Sequence, residues 1–213
     1  MAVSVLPKAR RIGVFGGAFD PPHNAHVALA QAAVAQLQLD ALHVIPTGQA
    51  WHKARVLSDA VHRSAMAALA FGNLAHVVVD ERELQRPGPT FTIDTLQALQ
   101  GENPGAQLYL IIGADQAAAF MQWHRFGDIL KIAIICIADR AHSAGPAGNL
   151  PIEDLPGATI ERLALPLMDV SATRIRQIAS HGAAAEGMAG LVPETIARYI
   201  SRHRLYGAPP AAS

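Results

Sequence analysis

The stretch Arg11-Ile12-Gly13-Val14-Phe15-Gly16-Gly17-Ala18-Phe19-Asp20-Pro21-Pro22-His23-Asn24-Ala25-His26 decides the fold expected of this chain. A short run, Arg11–Phe15, is followed by paired glycines and prolines, and then directly by an Ala-rich segment, Asn24 to Gln38, with no interior Pro or Gly. A strand that ends in glycine and feeds a helix at once is the opening unit of a parallel sheet with crossover helices. The same grammar repeats downstream. Runs at Leu42–Ile45, His76–Val79, Leu108–Ile112, Ile132–Ile137 and Thr159–Leu165 read as strands, several of them nearly continuous in apolar residues, as strands covered on both faces must be. Between and after them, Ser58–Phe71 with a Ser cap, Thr92–Gln100, Ser171–Ser180 and Pro193–Arg204 with Pro in its first turn read as helices. The fold class expected is α/β, a doubly wound, mainly parallel sheet with helices on both faces. Ala141–Gly157, rich in Ala, Pro and Gly, reads as a long surface loop or a subdomain boundary, and the tail 207–213 as frayed.

Composition bounds the rest. The chain has 213 residues, is 51% hydrophobic and 16% charged, and carries 17 basic against 17 acidic side chains. That length suits one domain, 1–213, with a core of about 11–206, and the apolar content excludes disorder for most of it. Zero formal charge gives no global field for nucleic acid or an anionic membrane, so any phosphate binding must be local. No stretch of about 20 apolar residues offers a membrane span, and no signal-peptide core precedes Arg11. A single cysteine, Cys136, lies in an apolar run and reads as a buried core thiol. The expectation is a cytoplasmic protein, a monomer or small homo-oligomer.

The glycine turn and the helix after it carry the first chemistry. Gly16 and Gly17 let a ligand approach the backbone, and the helix start offers free N–H groups and a positive dipole end to an anion. His23 and His26, three apart, share a face one turn in and can donate to phosphate oxygens. An ordinary turn with surface histidines fits the same letters. A zinc pair lacks an evident third ligand. Neither the dinucleotide fingerprint nor the P-loop is present, so hydride transfer and Walker-type hydrolysis drop away. A second helix start, Asp169-Val170-Ser171-Ala172-Thr173-Arg174-Ile175-Arg176, presents hydroxyls at Ser171 and Thr173 and a guanidinium at Arg176 able to fork onto phosphates. Ser171 could equally serve only as a cap.

The first segment resembles the G-G-x-F-D-P-x-H-x-x-H signature of the nucleotidylyltransferase superfamily, and the second resembles its S-[ST]-T-x-[IL]-R motif with Ala172 as a departure. Three more segments resemble the nicotinate-nucleotide adenylyltransferase family. They are Pro46-Thr47-Gly48-Gln49-Ala50-Trp51-His52-Lys53, Thr90-Phe91-Thr92-Ile93-Asp94-Thr95-Leu96, and Gly113-Ala114-Asp115 through Trp123-His124. The terminal Val192-Pro193 to Tyr199-Ile200, closing on Leu205-Tyr206, is similar to that family's last motif. Ala50-Trp51 in place of paired prolines, and His124 where Tyr is frequent, depart from it near the acceptor.

The resemblance implies a Rossmann-like nucleotidylyltransferase fold and transfer of the adenylyl group of ATP, with its Mg²⁺, to nicotinate mononucleotide. It implies catalytic roles for His23, His26 and Arg176. ATP contacts would come from Gly16, Gly17, Phe19, His23, His26, Gly113, Asp115, Ser171, Thr173 and Arg176. The acceptor would meet Lys53, Thr92, Asp94, Trp123, His124 and Arg140. No protein metal ligand is implied. The alternatives are another acceptor, such as nicotinamide mononucleotide or phosphopantetheine, and a non-catalytic nucleotide sensor.

Overall fold

The computed structural model describes residues 9–48, 56–140, 152, 155–181 and 185–207, the side chains of 139 and 140 excepted. Six strands form one sheet: β1 (Arg11–Gly17), β2 (Ala41–Pro46), β3 (Val77–Val79), β4 (Gln107–Gly113), β5 (Ala133–Arg140) and β6 (Ile160–Leu165). Their order is β3-β2-β1-β4-β5-β6 and every neighbouring pair is parallel. The expected strands are therefore all present, and the order is that of dinucleotide-binding sheets, reversing direction between β1 and β4.

Alternation along the strands sorts side chains onto two covered faces. Leu108, Leu110 and Ile112 of β4 point to one core, with Ile93, Leu96 and Leu99 of α4 (Thr92–Glu102) and Ile129 of α6 (Phe126–Ile132). Tyr109 and Ile111 point to the other, with Leu29, Ala30 and Ala33 of α1 (Asn24–Gln36) and Ala67 and Phe71 of α2 (Ala60–Phe71). Small alanines let α1 lie close over the sheet. A third cluster joins Met66 of α2 to Ile175 of α7 (Ala172–Ser180) and Ile196 and Ile200 of α8 (Glu194–His203).

Several expectations are corrected. Gln38 has φ 49° and turns the chain toward β2, so α1 stops at Gln36. Ser58 does not cap α2; Asp59 holds that position, because the Ser58 backbone is bonded to Asp20 and Arg63. The stretch 141–157 is not all surface: Ile152 is fully buried in the first core and Leu155 packs against it, while 141–151, 153 and 154 lie outside the described residues. Short helices α3 (Arg82–Gln85) and α6 had no counterpart in the sequence reading, whereas α5 (Ala114–Ala118) begins within the Gly113-Ala114-Asp115 segment. Neither α3 nor α6 carries a side-chain cap bond, and α6 starts after Arg125 in the left-handed region, so no local signature marked them.

Candidate active site

β1 pairs with β2 along to Gly17 and Pro46, but with β4 only from Arg11 and Gln107 to Val14 and Leu110. Beyond that point the two strands part. A cavity of about 770 Å³ opens there, floored by Phe15 to Gly17 of β1 and Ile111 to Gly113 of β4. This is the crevice at the carboxyl ends of strands, where the sheet order reverses, in which open parallel sheets bind ligands.

The loop after β1 forms one wall. A Cβ on Gly16 would meet no atom within 4 Å, so its backbone is open to a ligand. Gly17 also lines the cavity, and it leaves room for a neighbour besides: a Cβ there would lie 2.9 Å from the ring of Phe19. Phe19 itself is held at φ 47°, its buried ring edge-on to Phe15, His26 and Phe71. That packing supports His26 from beneath. His23 is the N-cap of α1, extended at φ −141° and ψ 172°, and its N–H donates to His26 Nδ1 at 3.2 Å. With Nδ1 accepting, a neutral His26 carries its proton on Nε2. The two rings stack at 3.6 Å between centroids, and both line the cavity.

The start of α7 closes this wall. Ser171 Oγ accepts from the Arg174 N–H at 3.2 Å, so Ser171 is a cap, and it also lines the cavity with its hydroxyl proton still available. Arg176 donates through Nη1 to the Asp20 carbonyl at 2.9 Å and through Nη2 to Thr173 Oγ1 at 3.1 Å. Arg174 turns away to Asp169. Two buried charged residues that the sequence reading passed over frame the wall. Asp20, only 2% exposed, accepts from the Ser58 N–H and from the Tyr206 hydroxyl. Arg63, only 3% exposed, donates to the carbonyls of Ala18, Thr47 and Ser58, tying the loops after β1 and β2 to the approach to α2. The one available signal was a lone arginine in the apolar sequence of α2.

The opposite wall comes from α3, α4 and the segment after β4. Thr92, Gly113, Asp115, Trp123 and His124 all line the cavity, as expected. The His124 and Phe91 rings face each other at 4.3 Å, and Trp123 also packs on Phe120. Behind them Glu83, missed from sequence, accepts from Thr95 Oγ1 at 2.8 Å. Burial pushes the Glu83 carboxyl up, while the Thr95 and Thr90 hydroxyls, Arg86 and the Gly48 N–H pull the other way. A Cβ on Gly48 would lie 2.2 Å from the Glu83 carbonyl oxygen, so only glycine lets the loop after β2 close against α3.

Asp94 sits in the first turn of α4 but is not among the cavity-lining residues. Lys53, with Ala50 and Trp51, and the Arg140 side chain lie outside the described residues. Cys136 is fully buried, and burial pushes its thiol up to about 12, as a core thiol requires. Among the described residues no helix is long and apolar enough to cross a membrane.

Comparison with known proteins places the chain in a family. The Cytidylyltransferase-like family model matches residues 14–178, spanning both walls. A protein of Albidiferax ferrireducens named "Probable nicotinate-nucleotide adenylyltransferase" is 53% identical over 92% of this chain and 98% of its own length. The chain belongs to the nicotinate-nucleotide adenylyltransferase family. A relative of the same name from Methylibium petroleiphilum is 41% identical over 94% of each chain. Among solved structures, Plasmodium falciparum nicotinic acid mononucleotide adenylyltransferase complexed with NaAD shares the fold, with a TM-score of 0.75 at 18% identity, covering 92% of this chain and 97% of that one. The fold expected from the sequence, a Rossmann-like nucleotidylyltransferase sheet, is the fold of this family.

Proposed function

We propose that the cavity between β1 and β4 is where this enzyme transfers the adenylyl group of ATP to nicotinate mononucleotide, giving nicotinate adenine dinucleotide and pyrophosphate in NAD biosynthesis. The observation that carries the assignment is convergence: His23 and His26 at the start of α1 and Arg176 of α7 line the same cavity as the Thr92 and Trp123-His124 wall. A phosphate oxygen of the acceptor attacks the α-phosphorus of ATP. The new P–O bond joins the two nucleotides as the bond to the β-phosphate oxygen breaks, and pyrophosphate leaves with that electron pair. A phosphate monoester is already an anionic nucleophile at neutral pH, so position and charge stabilisation supply the rate.

His23 donates to the α-phosphate in the transition state and His26 to a neighbouring phosphate oxygen. Arg176 and the N–H groups at the start of α7 hold the β- and γ-phosphates, and Gly16, Gly17, Gly113 and Asp115 shape the floor beneath the nucleotide. Mg²⁺ would enter with the substrate as MgATP, where it would neutralise phosphate charge and need few protein ligands. Thr92 and the Phe91, Trp123 and His124 rings receive the nicotinate ring and its carboxylate. A cytoplasmic setting accords with the buried reduced thiol of Cys136.

The test is pyrophosphate release from MgATP with nicotinate and nicotinamide mononucleotides supplied side by side. Turnover with a clear preference for the nicotinate form is expected. Turnover with the nicotinamide form at equal efficiency would overturn the acceptor assignment, and release with neither would overturn the proposal.

A further inference from the structure

The phosphate wall is held by a residue with no place in the chemistry above. Tyr206 follows α8 with its backbone at φ 66°, a conformation that a non-glycine residue keeps only where its surroundings over-determine it. Its phenol donates to Asp20 Oδ1 at 2.7 Å, across 186 positions of sequence. Asp20 Oδ2 accepts from the Ser58 N–H at 3.1 Å, and the carbonyl of the same residue accepts from Arg176 Nη1 at 2.9 Å. With both carboxylate oxygens engaged in a buried site, the Asp20 side chain is pinned, and with it the peptide carbonyl that aims the guanidinium. The phenol remains a neutral donor at all working pH, since burial and then the neighbouring Asp20 carboxylate push its ionisation upward.

We propose that Tyr206 is a positioning residue for Arg176: through Asp20 it fixes where the guanidinium meets the triphosphate. The inference rests on the assignment of Arg176 to ATP. Its range is specific, because among the described residues the bonds of the clasp join the loop after β1, the approach to α2 and α7. Binding of nicotinate mononucleotide should therefore be spared.

A double-mutant cycle in steady-state kinetics tests it, using the parent, Tyr206→Phe, Arg176→Ala and the double variant. Tyr206→Phe keeps the ring that packs against the α7–α8 cluster, so its melting temperature should stay close to the parent's. It is expected to lower kcat/KM for MgATP by about ten- to a hundredfold, the cost of a misplaced catalytic group, with KM for the acceptor unmoved. In the Arg176→Ala background the same change should cost nothing further, because the group being positioned is gone. Asp20→Asn, which weakens the clasp from its other side, should reproduce the MgATP loss. Equal proportional losses in both backgrounds, a rise in KM for the acceptor, or full activity of Asp20→Asn or Tyr206→Phe would each overturn this inference alone. Full activity of Arg176→Ala would overturn the phosphate assignment first and this inference with it.

Discussion

The two walls of the cavity are built by opposite strategies. On the side of His23 and Arg176, proposed above to hold the phosphates, the cavity-lining polar residues are few and their supports come from the whole chain. Arg176 leans on Asp20, which stands 156 positions away, and Asp20 leans on Tyr206, 186 positions further along. On the acceptor side the wall is drawn from one stretch, residues 83–124, and its internal bonds are local: Thr95 to Glu83 spans 12 positions. A charged transition state demands donors fixed before the reaction begins, which buried ionic anchors supply. A planar ring is held by apolar faces that tolerate adjustment. Substitutions among the Phe91 and His124 rings, 4.3 Å apart, are therefore expected to leave the transfer chemistry intact.

This contrast can be broken by substitution. The largest effect is expected at His23. His23→Ala should lower kcat by about 10²- to 10³-fold, the usual cost of one preorganised donor, with the melting temperature little changed. Measured kcat equal to the parent's would remove His23 from the mechanism and leave the phosphate wall without its central donor. A smaller, different effect is expected across the cavity. Phe91→Ala should raise KM for nicotinate mononucleotide by about tenfold, from lost ring contact, while KM for MgATP stays level. Were the two KM values to rise together, the walls would not be separable.

The smallest effect concerns the scaffold below the acceptor wall. Burial alone would raise the Asp80 carboxyl, but hydrogen bonds from His43 and from the Arg82 backbone and guanidinium outweigh it and hold it at about 2, below the ordinary 3.8. Arg82 in turn forks onto Glu102 at the end of α4 at 2.9 and 3.0 Å. Because the folded value lies below the unfolded one, this stabilisation is complete above about pH 4 and is lost as the pH falls toward 2. Asp80→Asn should cost about 1 kcal/mol at pH 6, after allowance for solvent screening, and the difference from the parent should shrink as the pH falls toward 2 and close below it. Urea unfolding of both proteins at several pH values measures it. A loss that does not depend on pH would show that Asp80 acts by shape and not by charge, while kcat should be unaffected throughout.

Much of this was legible in the sequence, and the reason is local. The strand runs were visible because a sheet covered on both faces needs continuous apolar residues, and the histidine loop and the Ser171 turn, which line the cavity, were visible because helix starts suited to anions use few residue types in fixed spacing. Even there the reasons were mixed. Gly16 is open to a ligand as read, while Gly17 both lines the cavity and leaves room for the Phe19 ring. Asp20 stood inside the quoted motif without a role, and Arg63 and Glu83 lay in segments with no chemical signature. Each acts on partners brought near only by the fold, so no spacing along the chain could announce them. Asp94, in the same motif as Thr92, is not among the cavity-lining residues.

The amino-acid sequence by itself determined the strands, the parallel grammar and which helix starts bring polar groups to the cavity, because these follow from hydrophobic pattern, turn residues and spacing within a few positions. Tertiary structure alone decided that β1 and β4 part after Val14 and Leu110 to open a cavity between them. It alone decided that Tyr206, Asp20 and Arg176 meet at its edge. Sheet order and long-range ionic anchoring are properties of the packed chain. They arise from which apolar faces bury each other, and a linear pattern fixes that only when all elements are packed together.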